Sequence, residues 1–341
     1  MVRIGEGSFA PALASGADIV LADRFFAPML ENSSVPVVYL DADEESKTLQ
    51  RAEQLIVACF DAGARRGTRL LAVGGGVVQD LATLVSSLYM RGLPWSYAPT
   101  TLMAMADSCV GGKSSINAGK AKNVVGNIYP PREVTIDPGF LSTLSDEELV
   151  AGLSEAVKIC FCHGLGCFQQ YLRHFESFSS DPAAAPLLLH HVLSAKKWFV
   201  EVDEFDTKER RLLNFGHTFA HALESATSFS VNHGVAVAVG MLCAVRLAAM
   251  DGQRGEASSR LAAHCRVLLA RVPDLASRLA DLDEAQFEQA FRADKKHAPG
   301  EFRLILPSAG GGVQEVPSDD GTGRMKAVLE ALRRVVAEVG V

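Results

Sequence analysis

Arg69-Leu70-Leu71-Ala72-Val73-Gly74-Gly75-Gly76-Val77-Val78-Gln79-Asp80 decides the fold: a short apolar run enters three consecutive glycines, and helical apolar spacing follows over 81–88. Such a run reads as strand, tight turn and helix, the opening of a βα unit. The exposed N–H groups of the helix start, with the helix dipole behind them, favour a pyrophosphate, and a turn without side chains lets it approach. The pattern is not the usual G-x-G-x-x-G, and a plain tight turn accounts for it equally well. Outward from this stretch, residues 18–22 and 37–40 are strand-like, and helical spacing over 48–65 leads into the 69–73 run. That alternation is the mark of a parallel sheet.

From residue 145 onward the apolar spacing turns helical, over 147–162, 187–201, 217–227, 235–250 and 256–270. Gly310-Gly311-Gly312 marks a turn before a closing amphipathic helix over 324–339, and Pro130-Pro131 with Asp137-Pro138 punctuates the junction between the halves. At 341 residues the chain exceeds what one core holds, about 250 to 300 residues. The expected organisation is α/β plus all-α, with a parallel-sheet domain over 1–140 and an all-helical domain over 141–341.

A formal charge of −7 argues against a nucleic-acid surface, so local basic clusters must serve something small and anionic. The N-terminus has no apolar signal core, and the longest apolar run, 234–245, is shorter than a bilayer span. The expectation is a cytoplasmic protein with no membrane and no nucleic-acid partner. Seven scattered cysteines suggest free thiols; Cys160, Cys162 and Cys167 could bind zinc, but no partner pair stands at zinc-finger spacing, which favours buried packing.

The chemistry-bearing residues lie mostly in the second half. His217 and His221 are four apart and share one helical face; His233 opens another helical segment; Glu155 and Lys158 are three apart. Glu155, His217 and His233 could supply three metal ligands and leave open positions for substrate oxygens. Taken singly, each histidine reads more plainly as a hydrogen-bonded core or helix-end residue. In the first half, Pro99-Thr100-Thr101-Leu102 is followed by Asp107-Ser108-Cys109-Val110-Gly111-Gly112-Lys113-Ser114-Ser115-Ile116-Asn117, then Lys120, Lys122 and Asn123. Lysines mixed with Asn, Asp and Gly-Gly read as a polyol and phosphate cradle. Lys196, Arg210 and Asp294-Lys295-Lys296 add cationic positions, for which surface solvation is the plain alternative.

Together these stretches resemble the sugar phosphate cyclases, most closely the 3-dehydroquinate synthases. The resemblance is carried by GGGVVQD (74–80), YMRG (89–92), PTTL (99–102), DSCVGGKSSIN (107–117), KN (122–123), GLSEAVK (152–158), RLLNFGHTFAHALE (211–224), HG (233–234) and DKK (294–296), and runs from about residue 40 to about residue 306. It implies a Rossmann-like sheet domain and a helical domain with the active site in the cleft, and a homodimer. It implies Zn2+ (or Co2+) on Glu155, His217 and His233, with His221 handling protons. Substrate contacts are implied for Asp107, Lys113, Lys122, Asn123, Lys158, Lys196, Arg210, Asn214 and Lys296, with Arg91 reaching over from a neighbouring subunit. NAD is implied at Asp23, Glu44, Lys47, Gly74, Gly75, Gly76, Asp80, Thr100, Thr101 and Thr143. The implied activity is a phosphate-eliminating carbon–oxygen lyase of the shikimate pathway: transient oxidation, elimination, re-reduction and aldol closure of a heptulosonate 7-phosphate.

The chain departs from the resembling family at several places. Gln79 stands where glycine is usual, which threatens cofactor affinity if that position needs positive φ or close backbone approach. Val235 replaces the usual glutamate after His-Gly, removing a possible acceptor behind the metal site. Ala118 replaces a usual histidine, and the stretch between Asp23 and Glu44 is short. Asn214-Phe215-Gly216-His217 and the Gly-Gly-Lys of 111–113 side against the deoxy-inosose synthases, and Leu213-Asn214 against the valiolone type. The alternatives are another sugar phosphate cyclase of secondary metabolism, of aminodehydroquinate, valiolone or deoxy-inosose type, a polyol or glycerol dehydrogenase, and a binding protein that has lost turnover.

Overall fold

The computed structural model describes residues 1–119 and 121–339, so Lys120 of the lysine loop and the last two residues of the expected helical domain lie outside the described residues. Two compact units are present: Met1–Leu144 with Pro182–Leu193, and Ser145–Asp181 with Ser194–Val341.

In the first unit, chain order runs β1 (Val2–Ile4), α1 (Phe9–Gly16), β2 (Ile19–Asp23), α2 (Ala27–Leu30), β3 (Val37–Leu40), α3 (Leu49–Asp61), β4 (Leu70–Gly74), α4 (Gly76–Leu88) and β5 (Trp95–Pro99). A small hairpin, β6 (Ile116–Ala118) with β7 (Ala121–Val125), precedes β8 (Glu133–Ile136). Six strands form one parallel sheet in the order β1-β8-β5-β4-β2-β3. Residues 19–22 and 70–74 are buried without alternation, as strands covered on both faces must be. The chain moves outward from β2 to β3 and then crosses back to β4, so the glycines after β4 stand at the carboxyl edge where strand order reverses, the usual ligand position of an open α/β sheet. The β2–β3 connection holds only a short 3-10 turn (Arg24–Phe26) and the four-residue α2, in keeping with the shortened segment between Asp23 and Glu44.

The second unit contains α5 (Asp146–His163), α6 (Leu165–Ser180), the C-terminal part of α7 (Ala185–Val202), α8 (His217–Ala226), α9 (His233–Met250), α10 (Glu256–Leu269), α11 (Leu275–Ala280), α12 (Glu284–Arg292), the strands β9 (Glu301–Pro307) and β10 (Val313–Asp319), and α13 (Thr322–Val339). The helical domain is therefore not wholly helical. Gly310-Gly311-Gly312 turns an antiparallel hairpin, in which the inward residues Phe302, Leu304 and Leu306 alternate with half-buried ones. At its centre is α9, packed against α5, α8, α10, α13 and β9. The expectation that its apolar run is too short for a bilayer is corrected: His233–Met250 is long and apolar enough, but 72% of that window is buried inside the fold. All seven cysteines are thiols outside any disulfide, and six are buried.

Candidate active site

Three helices of the second unit converge, α8 and α9 by their first turns and α5 by its middle. Ser145 starts α5 with a reciprocal cap: its hydroxyl accepts from the Glu148 N–H, and Glu148 accepts from the Ser145 N–H. Glu155 and Lys158 follow on one face, both 2% exposed, and form an ion pair. Asn232 caps α9 by accepting from the Val235 N–H at 3.0 Å, which sets His233 in the first turn. Gly216, left-handed at φ +79, turns the chain into α8 and His217.

Close approach rests on two glycines of α9. A Cβ at Gly234 would lie 2.4 Å from Ala151 Cα on α5, and one at Gly240 would lie 2.2 Å from the Gly216 carbonyl oxygen. With no side chain at either place, His233 and His217 reach Glu155. Glu155 Oε1 is 3.4 Å from His233 Nε2 and 3.5 Å from His217 Nε2, and one ligand atom from each of the three residues falls within 4.8 Å of the others.

Each imidazole is held from behind. His217 Nδ1 is 3.3 Å from the Phe215 carbonyl and His233 Nδ1 is 3.3 Å from Glu224 Oε2, so both rings donate through Nδ1 and turn Nε2 toward the carboxylate. Burial, with Lys158 nearby, holds His217 well below its usual pKa, so it is neutral. Burial alone would lower His233 too, but Glu155 and Glu224 on either side raise it to about 10. Burial likewise opposes ionisation of Glu155, and Lys158 and His233 more than offset it, leaving a firmly ionised carboxylate. Once a cation displaces the His233 Nε2 proton, two Nε2 atoms and a carboxylate are a donor set suited to a divalent cation such as zinc or cobalt, with positions left for substrate oxygens. Val235 is buried and offers no acceptor, and the acceptor behind His233 is Glu224.

His221 stands beside this cluster, its ring 5.5 Å from that of His217 and 5.9 Å from that of His233. It is 46% exposed, and its Nδ1 is 3.7 Å from Asp294 Oδ2, which also accepts from Lys296 Nζ at 2.5 Å. Burial works against the Asp294 charge, and His221 and Lys296 hold it below the usual carboxylate range. Burial lowers the Lys296 ammonium, with Asp294 acting against it. Lys196 and Arg210 are buried at 7% and 5% exposure. Asp203 orders the loop before Arg210 by accepting from the N–H groups of Thr207, Lys208 and Arg210, and Arg210 Nη1 donates to the Glu204 carbonyl. Asn214 donates to the Arg211 carbonyl. The 209–214 turn runs along α5, with the Cys162 thiol donating to the Leu212 carbonyl and Phe215 stacked on Phe161.

In the first unit, the glycine turn is a bare cradle. A Cβ at Gly75 would come within 2.9 Å of Thr101, and Gly76 has nothing within 4 Å of that position. The Tyr97 hydroxyl donates between the carbonyls of Gly74 and Gly75 at 3.0 Å, and the buried Thr100 donates its N–H to Gly74. These residues fit a dinucleotide pyrophosphate on the N-terminus of α4. Gln79 lies within α4 without positive φ, and its side chain reaches Ser108.

Glu44, Lys47, Asp80 and Asn123 form one polar cluster. Lys47 Nζ lies 2.9 Å from Asp80, 3.4 Å from Glu44 and 3.0 Å from Asn123 Oδ1, and Asp80 also accepts from the Ser115 N–H. Burial raises Asp80 to about 6 against the pull of Lys47. Asp23 and Thr143 are engaged locally, Asp23 accepting from the Phe25 N–H and Thr143 donating to the Phe140 carbonyl. Asp107 lies in a π-helical turn (Ala104–Ser108), Lys113 bridges to Ile128, and Lys122 is on β7. Arg91 is exposed, with positive φ at both Met90 and Arg91. Sequence reasoning missed Glu224 and Ser108 as partners. Glu224 carried a signal, seven residues after His217 and three after His221 on one helical face.

The sequence model described as 3-dehydroquinate synthase N-terminal matches residues 37–151, and that described as 3-dehydroquinate synthase C-terminal matches 152–297. The 3-dehydroquinate synthase of Acidithiobacillus ferrooxidans is 34% identical over 339 residues, covering 94% of this chain and 92% of its own. That of Sulfolobus acidocaldarius is 35% identical over 294 residues, 83% of this chain and 81% of its own. Among solved structures, a 2-epi-5-epi-valiolone synthase from Streptomyces hygroscopicus subsp. jinggangensis 5008, with NAD+ and Zn2+ bound, superposes with TM-score 0.83 at 26% identity, over 99% of this chain and 97% of that one. A probable glycerol dehydrogenase from Sinorhizobium meliloti shares the fold at TM-score 0.60 and 16% identity, over 99% and 96% of the two chains.

Proposed function

The chain belongs to the 3-dehydroquinate synthase family, and we propose that it is an NAD- and divalent-metal-dependent carbon–oxygen lyase that converts a heptulosonate 7-phosphate to its carbocycle with loss of phosphate. The observation that carries this reading is the convergence of Glu155, His217 and His233, each histidine fixed through Nδ1 and presenting Nε2. Those three residues would hold the metal, and Gly74, Gly75, Gly76, Thr100 and Thr101 the dinucleotide. When bound, NAD supplies a reversible hydride acceptor and the cation a Lewis acid for a substrate hydroxyl.

The chain's own residues do the rest. Lys158, Lys196, Arg210 and Lys296 bind and orient the carboxylate and phosphate, and their positive charge stabilises oxygen anions that develop as the phosphate departs. His221, with Nδ1 directed to Asp294, keeps Nε2 free to take and return a proton. Asp107, Lys113, Lys122 and Asn123 supply hydrogen bonds to the polyol. Because oxidation is undone before closure, turnover leaves no net reduced cofactor.

A second cyclase reading, action on sedoheptulose 7-phosphate, is favoured by the likeness to the valiolone synthase. The test is phosphate release, with and without chelator, from the heptulosonate 7-phosphate, its 4-amino analogue, sedoheptulose 7-phosphate and glucose 6-phosphate. Chelator-sensitive release from the first, without accumulating NADH, is expected. Release from sedoheptulose 7-phosphate alone would overturn the substrate, and stoichiometric NADH would favour a dehydrogenase.

A further inference from the structure

Gln79 is 3% exposed on α4, and its carboxamide reaches the π-helical turn at Ala104–Ser108. Nε2 donates to the Ser108 carbonyl at 2.6 Å, and Oε1 accepts from the Ser108 hydroxyl, also at 2.6 Å. The carbonyl can only accept, which fixes which end of the amide faces it. One side chain thus grips both the backbone and the side chain of the residue next to Asp107. A glycine at this position could make neither bond.

The two ends of this bracket are unequal. The glycine turn has supports of its own, the Tyr97 hydroxyl on the carbonyls of Gly74 and Gly75 and the Thr100 N–H on Gly74. The turn carrying Asp107 closes through one wide-ring bond, Cys109 N–H to Ala104, a geometry found mostly as single turns, followed by one tight 3-10-type bond, Val110 N–H to Asp107. Its placement has more to lose when the bracket goes.

We propose that Gln79 is a positioning residue for the reaction: it fixes the π-helical turn that presents Asp107 to substrate, and leaves dinucleotide affinity to the glycine turn. This rests on the substrate role of Asp107 proposed above.

The test uses Gln79→Ala and Gln79→Glu in the full chain. In Gln79→Ala, kcat for phosphate release falls about 10- to 100-fold, as for a catalytic group misplaced by about an ångström, while the NAD dissociation constant is unchanged. The Cys109 and Val110 amides exchange hydrogen faster than in the parent. Gln79→Glu keeps the shape and the acceptor for the Ser108 hydroxyl but sets a carboxylate oxygen against the Ser108 carbonyl, and it loses at least as much kcat. Adding Ser108→Ala to Gln79→Ala costs little more, since the shared bonds are already gone. An unchanged kcat overturns the proposal, and so does a loss of NAD affinity matching the loss of kcat, which would make Gln79 part of the cofactor site. If the parent protein releases no phosphate from the heptulosonate 7-phosphate, the reading of the reaction fails instead. The two amides then still decide the bracket, faster exchange supporting it and unchanged exchange overturning it.

Discussion

Glu224 contributes nothing directly to the donor set, yet it determines which nitrogen of His233 is offered. Its Oε2 accepts from the Nδ1 N–H at 3.3 Å, so Nε2 is left facing Glu155. Replacing it with alanine should weaken metal binding about 10- to 100-fold, read by competition with a chelator, while Glu224→Gln, which keeps an acceptor oxygen, should retain most of the affinity. Unchanged affinity in the alanine variant would mean that packing alone orients the ring. The candidate ligand trio that the fold brings together was legible in the sequence, because two histidines and a glutamate stood amid motifs of one family. Their supports were not: a carboxylate seven residues along a helix and a carbonyl two residues back announce themselves only once the helices are docked.

At the level of elements, α9 meets α5 and α8 through Gly234 and Gly240. Gly234→Ala forces a methyl into the α5 backbone, an overpacking expected to cost about 1–3 kcal/mol, and it should lower both Tm and metal content because His233 moves with its helix. Retained metal content at a lowered Tm would uncouple the two. The loop before Arg210 offers a pH-dependent counterpart. Burial resists the Asp203 charge, but the Thr207, Lys208 and Arg210 N–H groups overcome it and bring the carboxyl from 3.8 to about 2. The folded state then binds that proton less tightly than the unfolded chain, so the stabilisation is complete above about pH 4 and is lost as pH falls toward 2. Asp203→Asn should be less stable at neutral pH and should flatten the stability profile across that window in acid titrations followed by circular dichroism. Most of the long helices were readable because their apolar spacing is regular over ten or more residues, but α6, sixteen residues long with only Phe168 and Tyr171 buried, was not. Strand β10 was not, since VQEVPSD is mostly polar and owes its conformation to its partner β9, and three-residue strands such as β1 and β6 carry too few side chains to show a period.

For the molecule as a whole, the resemblance in sequence carries the expectation of a homodimer in which Arg91 serves the neighbouring subunit. Mixing inactive Arg91→Ala with inactive Glu155→Ala subunits should restore activity, because the Arg91→Ala site receives an intact arginine from its mate; no recovery in mixed dimers would place Arg91 in its own subunit's site. The parallel-sheet and helical halves followed from the alternation of apolar periods, whereas the enclosure of α9 did not, since composition alone cannot tell a bilayer from a protein interior. That enclosure bears on biogenesis. While it is being synthesised, the chain displays a greasy eighteen-residue segment whose eventual cover includes α13, encoded far downstream. Since His233 opens that same segment, the candidate cation cluster is assembled only in the chain whose α9 has docked on α5 and α8.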